Sequence, residues 1–377
     1  MRARIIGLSE LSPRDFRDWR ELAERAIEPN PSYEPGFVLP AARWIAGDHV
    51  GLLIAEDANG WAACLPVRRG WRWGKLPLRS IAGWRHLYSY LGTPLVRGER
   101  PLRGALEALI GRADEDRSSV ALVFDWLGQG GPVGSALADV LDGRPGNAVT
   151  CDAFDRPVLR RRAEPTYLEE ALSARRRKEL RRLERRLVEQ SGLRCESSIA
   201  VTRRRRATTS CDSRRRAGRG VPVRRSPRAT PIVASSKKPA PRSRTPDGFN
   251  CLRSREGGVR LRCSGTCSPR TRSSVSRSPT TRIASCSPGA QLEVRAVEAF
   301  HHRIEVNWID SCTTPDNELI NRLWPDRRRI ASVVVARASL VGRSALAGVR
   351  SAASLRDRRR RRAALRGVAS RLPRRVD

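Results

Sequence analysis

Three stretches carry side chains whose type and spacing could do chemistry. Asp310, Ser311 and Cys312 follow residues 304–309, which read as a strand. Strand ends are where open α/β sheets gather site residues. Asp310 could orient or deprotonate an acceptor there, and Cys312 could act as a nucleophile. A nucleophilic thiol needs a lowered pKa, and the nearest histidines in sequence are His301 and His302. The structural alternative is a capped turn with Trp308 and Trp324 in the core. The second stretch is a basic helix, in which Arg175, Lys178, Arg181 and Arg182 could face the phosphates of a cofactor or nucleic acid. Its plainer reading is a solvated face laced with i,i+4 ion pairs. The third is GQGGPVGS (128–135), glycine-rich enough to raise a phosphate cradle at a helix N-terminus; a strand-to-helix loop is the alternative. The nine Cys form no C-x-x-C pair and the four His no paired spacing, so no metal site is expected.

These residues need elements to hold them. Apolar runs at 50–57 and 61–69 flank Ala58-Asn59-Gly60, a hairpin signal. Leu102, Leu106 and Leu109 recur at helical spacing within 101–114. Residues 120–127 read as a buried strand, 135–143 as a helix stopped by Gly143, and 148–159 as a strand pair. The pattern over 166–190 predicts one helix, opened by Thr166 and Glu169 as a capping box and ended at Gly192. Leu168, Leu172, Leu180, Leu183 and Leu187 would form its apolar stripe. After residue 287 come a helix (291–300), the strand 304–309, and a helix (317–324) stopped by Pro325. Alternating helices and strands predict an α/β fold with a mixed sheet covered by helices.

Charge divides the chain. Of 377 residues 74 are Lys or Arg and 39 Asp or Glu, for a net +35. Only Lys75, Lys178, Lys237 and Lys238 are lysines, a bias expected of GC-rich codons. Residues 198–286 hold 23 Lys or Arg against Asp212, Asp247 and Glu256, with Phe249 as their one aromatic. Such a stretch buries too little apolar area to offset chain entropy, which predicts a disordered basic segment. An arm of this kind binds nucleic acid through phosphate neutralisation; with one aromatic to stack, the signal is charge alone. The composition excludes acidic disordered and collagen-like chains. The best apolar run, 330–349, is broken by Arg337 and Arg343, which argues against a membrane span. MRARIIGLSELSPRDF has no apolar h-region, so a cytoplasmic location is expected.

YLEEALSARRRKELRRLERRLVEQSG, SPGAQLE and WIDSCTTPDNELINRLWPDRR together resemble the CelD/BcsL-type acyltransferases, a branch of the GNAT superfamily. YEPGFVLPAARW and LYSYLGTPLV are weaker echoes. The family carries L-E-x-x-G-W-K-G and F-K-I-A-Y-D-E segments between the basic helix and SPG, and neither stands in this chain. Codons exist for residues 208–227 that, read two nucleotides later, give DFLRLEAAGWKGRAGTALA. In the same shifted frame residues 271–283 can give EELGFKIAYDEN. Residues 198–286 are therefore read as out-of-frame translation between two compensating shifts. The resemblance implies two GNAT-like halves: 1–165, then a second half opened by the basic helix (166–197), interrupted at 198–286 and resumed at 287–350, before a basic tail at 351–377. It implies transfer from acetyl-CoA or another acyl-CoA to an amine or hydroxyl of a polysaccharide, cell-envelope or small-molecule acceptor. Asp310 and Cys312 are its candidate catalytic residues, and Arg175, Lys178, Arg181 and Arg182 its candidate donor-binding residues. The product is expected to be impaired. Arg-driven, non-specific binding of nucleic acid or other polyanions is the alternative function.

Overall fold

A computed structural model describes residues 1–369 apart from 47–48, 87, 99–101, 145, 192, 203–259, 270–286 and 305. Strand β1 (Arg2–Gly7) leads to helix α1 (Pro13–Arg25), whose N-cap Ser12 and Asp15 form a reciprocal capping box. Helix α2 (Pro35–Ala41) follows. Strands β2 (Val50–Asp57) and β3 (Gly60–Gly70) make the expected hairpin, with Gly60 at φ +93° in its turn. That left-handed geometry is open to glycine without Cβ strain. Strands β4 (Ser80–Gly83) and β5 (Leu95–Val96), helix α3 (Leu102–Glu115), strand β6 (Ala121–Gly128), helix α4 (Pro132–Asp142) and strand β7 (Ala148–Arg160) complete the first part. Helices α5 (Tyr167–Ala171) and α6 (Ala174–Ser191) precede strands β8 (Leu193–Thr202) and β9 (Arg260–Pro269). Helix α7 (Pro288–His301), strand β10 (Trp308–Asp310), helix α8 (Glu318–Leu323), strand β11 (Asp326–Ala336) and helix α9 (Leu340–Ala369) close the chain.

The fold is mixed α/β. One sheet runs β1-β2-β3-β4-β6-β11-β7-β10, with β5 beside β3. Its pairs are antiparallel except β4 with β6, which are parallel. Helices cover both faces, and the two-residue alternation of the central strands shows how. Leu122, Phe124, Val333 and Val335 enter the core that also holds Trp19 of α1, Leu109 of α3 and Leu137 of α4. Val123, Val334 and Ala336 enter the opposite core with Leu346 and Val349 of α9. Successive side chains on a strand point to opposite faces, so near-continuous apolar runs mark strands buried on both.

Several expectations change. Residues 148–159 are one long strand, not a pair; a register shift against β11 and a positive φ at Asp152 kink it without ending it. The helix expected over 166–190 breaks at Leu172 and Ser173. Its capping box does not form: the Thr166 hydroxyl bonds the Glu170 carboxylate at 2.6 Å instead of a backbone N–H. The strand at 304–309 shortens to β10. One sheet spans the boundary read at residue 165, with β11 lying between β6 and β7. Within the basic segment, β8 and β9 pair antiparallel, with Ile199 opposite Cys263 and Val201 opposite Leu261. That pairing gives residues 198–202 and 260–269 a ladder where none was expected. The rest of that expectation, and the shifted-frame segments at 208–227 and 271–283, lie outside the described residues. Among the described residues no helix is long and apolar enough to cross a membrane.

Candidate functional site

Strands β4 and β6 pair over Ser80–Ala121, Ile81–Leu122 and Ala82–Val123, and there their pairing stops. Strand β6 continues to Gly128 while holding β11 on its other side. The chain after β4 swings away and returns at Gly92, whose N–H donates to the Trp126 carbonyl at 3.0 Å. Only glycine fits that return: a Cβ on Gly92 would stand 1.7 Å from the Asp125 carbonyl oxygen. An open cleft forms in front of the gap. One lobe, about 420 Å³, is lined by Arg68, Arg69, Arg72, Trp71 and Trp84 among others. The other, about 630 Å³, is lined by Trp126, Phe154, Asp152, Pro315 and Arg356. Trp73, Gly74, Arg85 and Asp125 belong to both.

Asp125 and Arg85 stand where the lobes meet. Arg85 Nε donates to Asp125 Oδ2 at 2.9 Å, and the Ser332 hydroxyl donates to Oδ1 at 2.6 Å. The Arg85 guanidinium lies 3.8 Å from the Trp126 ring centroid, a cation–π contact. Trp126 has φ +55°, in the left-handed region, and meets Phe154 edge-on at 5.0 Å. A bulky residue held there is strained backbone of the kind that gathers at sites. Beneath Gly83 the Tyr33 hydroxyl is fully buried and bonds no described residue. Burial, and then the Asp125 carboxylate, push its phenol far above the ordinary range. His86 stacks on Trp84 and Phe37, and burial followed by the Arg85 charge lowers its pKa.

None of the sequence-derived candidates lines either lobe, although Cys312 packs in one cluster with Trp126 and Phe154, which do. Asp310 stands at the end of β10. It is fully buried, accepts from Arg328 at 3.1 Å and from the Cys312 N–H at 2.8 Å, and lies 3.6 Å from Arg156. Arg328 also pairs with Glu28 at 2.9 Å. Two arginines and two carboxylates thus form a chain of charges inside the protein. Cys312, at φ +50°, packs with Trp126, Phe154, Leu91 and Ile330. Arg175, Lys178, Arg181 and Arg182 are exposed on α6, Arg182 tied to Glu179, while Leu180, Leu183 and Leu187 are buried. None of the four lines either lobe. The glycine-rich loop is a connection: Glu28 occupies the start of α4, accepting the Val133 N–H at 2.8 Å. Among the described residues no group of three His, Cys, Asp or Glu could hold a metal ion.

Sequence reasoning passed over Arg85, Asp125, Trp126 and Ser332. The available signal was Asp125 itself, one acid inside the apolar run Ala121–Gly128. Compared with models of known protein families and with curated protein sequences, the chain matches none.

Proposed function

We propose that the protein is an acyl-CoA-dependent acyltransferase on a GNAT-like sheet, with the cleft between β4 and β6 as its donor site. One observation carries this reading: a single parallel pair, in an otherwise antiparallel sheet, parts midway and opens a cleft at the gap. Strands that separate leave backbone groups to pair with an extended ligand instead of each other. The surrounding charges support it further, since arginines rim one lobe and an anionic donor needs them. In the reaction an acceptor amine or hydroxyl attacks the thioester carbonyl carbon. A C–N or C–O bond forms, the C–S bond breaks, and the proton lost by the acceptor ends on the departing thiol. Asp125, fixed by Arg85 and Ser332, is placed to hold the acceptor.

The test is calorimetric titration of acetyl-CoA into the chain as it stands and into a version with residues 198–286 restored to the shifted frame. Saturable binding by both, weakened at least tenfold by Arg85→Ala, is expected. Binding by the restored chain alone puts the donor site in the missing segment and overturns the cleft assignment. Binding by neither overturns acyl-CoA as the donor.

A further inference from the structure

The basic lobe holds more than the arginines that an anionic donor needs, because an exposed tryptophan stands among them. From the last residues of β3 up to β4 the chain reads RRGWRWGKLPLR over residues 68–79, with no acid among them. Its tip is a closed turn: the Trp73 and Leu76 backbones exchange N–H···O bonds of 3.0 Å each. Arg69 is held by Asp116 through two bonds of 3.0 and 2.8 Å. Arg68 and Arg72 are exposed, line the lobe, and pair with no carboxylate among the described residues. Asp125, the one acid lining the lobe, is already held by Arg85. The lobe therefore has uncompensated positive charge. Trp71 is 76% exposed with the Arg79 guanidinium 5.4 Å from its ring centroid, and Trp73 lines the lobe beside it.

We infer that this lobe binds a nucleotide, its phosphates on Arg68 and Arg72 and its base against Trp71. Guanidinium groups pair with phosphate oxygens in charge-assisted, often bidentate geometry. An indole face accepts any base by stacking. Arg79 already draws on the Trp71 ring by cation–π attraction, and a planar base carrying phosphates satisfies the exposed indole and the exposed Arg68 and Arg72 at once. A lobe of about 420 Å³ suits one nucleotide, within the usual range of small-molecule sites. The inference deepens the donor reading by assigning the phosphate-bearing end of the ligand, yet it can fail separately, because its probe has no acyl group.

The experiment titrates ADP, adenosine and acetyl-CoA into the full chain, and repeats ADP with Arg68→Ala, Arg72→Ala and Trp71→Ala. All three side chains are exposed, so the variants should fold. ADP should bind, adenosine should bind at least tenfold more weakly, and each variant should lose about tenfold in ADP affinity. ADP should also compete with acetyl-CoA. No ADP binding, or ADP binding that the variants leave unchanged, overturns the inference. Acetyl-CoA binding that ADP fails to displace overturns it too, while leaving the donor reading intact. ADP binding without acetyl-CoA binding supports the nucleotide lobe and removes the donor reading. A thymidine oligonucleotide that binds at least a hundredfold more tightly than ADP would make the lobe part of a nucleic-acid track and overturn a single-nucleotide site.

Discussion

At Asp310 burial and charge pairing set the first prediction. An acid after a strand reads as a candidate base, yet this carboxylate balances Arg156 and Arg328 in the interior. Removing one member of a buried ionic group leaves the others uncompensated, at about 3–5 kcal/mol. Asp310→Asn should therefore lower unfolding stability by that amount in urea. Unchanged stability with abolished acyl transfer would instead restore Asp310 to the reaction. Glu293 makes a second prediction. It is 3% exposed on α7, and burial pushes its carboxyl up to about 7, with a weaker downward pull from the Trp324 indole. That indole N–H makes no hydrogen bond of normal geometry among the described residues, so burial dominates. The folded state holds this proton more tightly than the unfolded chain, whose ordinary value is 4.5. Stability from this group is thus full below about 4.5 and is lost as pH rises to about 7, by roughly 3 kcal/mol. Glu293→Gln should flatten that part of the stability–pH curve and raise stability at pH 8. A Gln variant with the wild-type slope would show that the titrating group is another.

At the scale of elements, α6 separates its two faces cleanly. Replacing Arg175, Lys178, Arg181 and Arg182 together by Ala should change stability by less than about 1 kcal/mol, because exposed pairs contribute little. It should also leave acetyl-CoA affinity within twofold. Leu187→Ala, at a fully buried position, should cost about 2–5 kcal/mol in the same urea titration. A large loss of donor affinity in the first variant would return the basic helix to the site. The leucine spacing of α6 and α3 was readable because helical periodicity is local, and so was the β2–β3 hairpin, with Asn59-Gly60 in its turn. What could not be read depends on distant partners. Strand β4 is four residues long with no period to detect, and its parallel pairing is set by β6 some 40 residues on. The break at Leu172 and Ser173 leaves an unbroken leucine pattern in the sequence. Nothing local in the sequence reveals that Asp310 and Glu28 await Arg156 and Arg328. The site stayed hidden for that reason: Arg85, Asp125 and Ser332 come from three separate strand regions.

For the whole molecule, the place of β11 decides what can fold. It hydrogen-bonds β6 from Ile330 to Ala336 and β7 from Asp326 to Val335. A fragment of residues 1–165 loses both ladders and the Val333 and Val335 side chains from its core. Each backbone group left buried and unpaired costs roughly 1–3 kcal/mol, and several such losses exceed a domain's typical 5–15 kcal/mol. The fragment should show no cooperative unfolding transition by circular dichroism; a sharp transition would mean that β6 and β7 can pair directly. The same geometry sets a timetable during synthesis. Arg160, at the end of β7, and Asp326, at the start of β11, are 166 positions apart. At about 5–20 residues per second, a ribosome needs on the order of ten seconds or more to cross that interval. Throughout it the nascent chain presents two long strand edges, of β6 and β7, with nothing between them, the kind of template on which other chains assemble. Long-range closure of this sort is slow even after release. Recovery of soluble protein should therefore depend on holdase chaperones and on low temperature far more than its final stability would suggest.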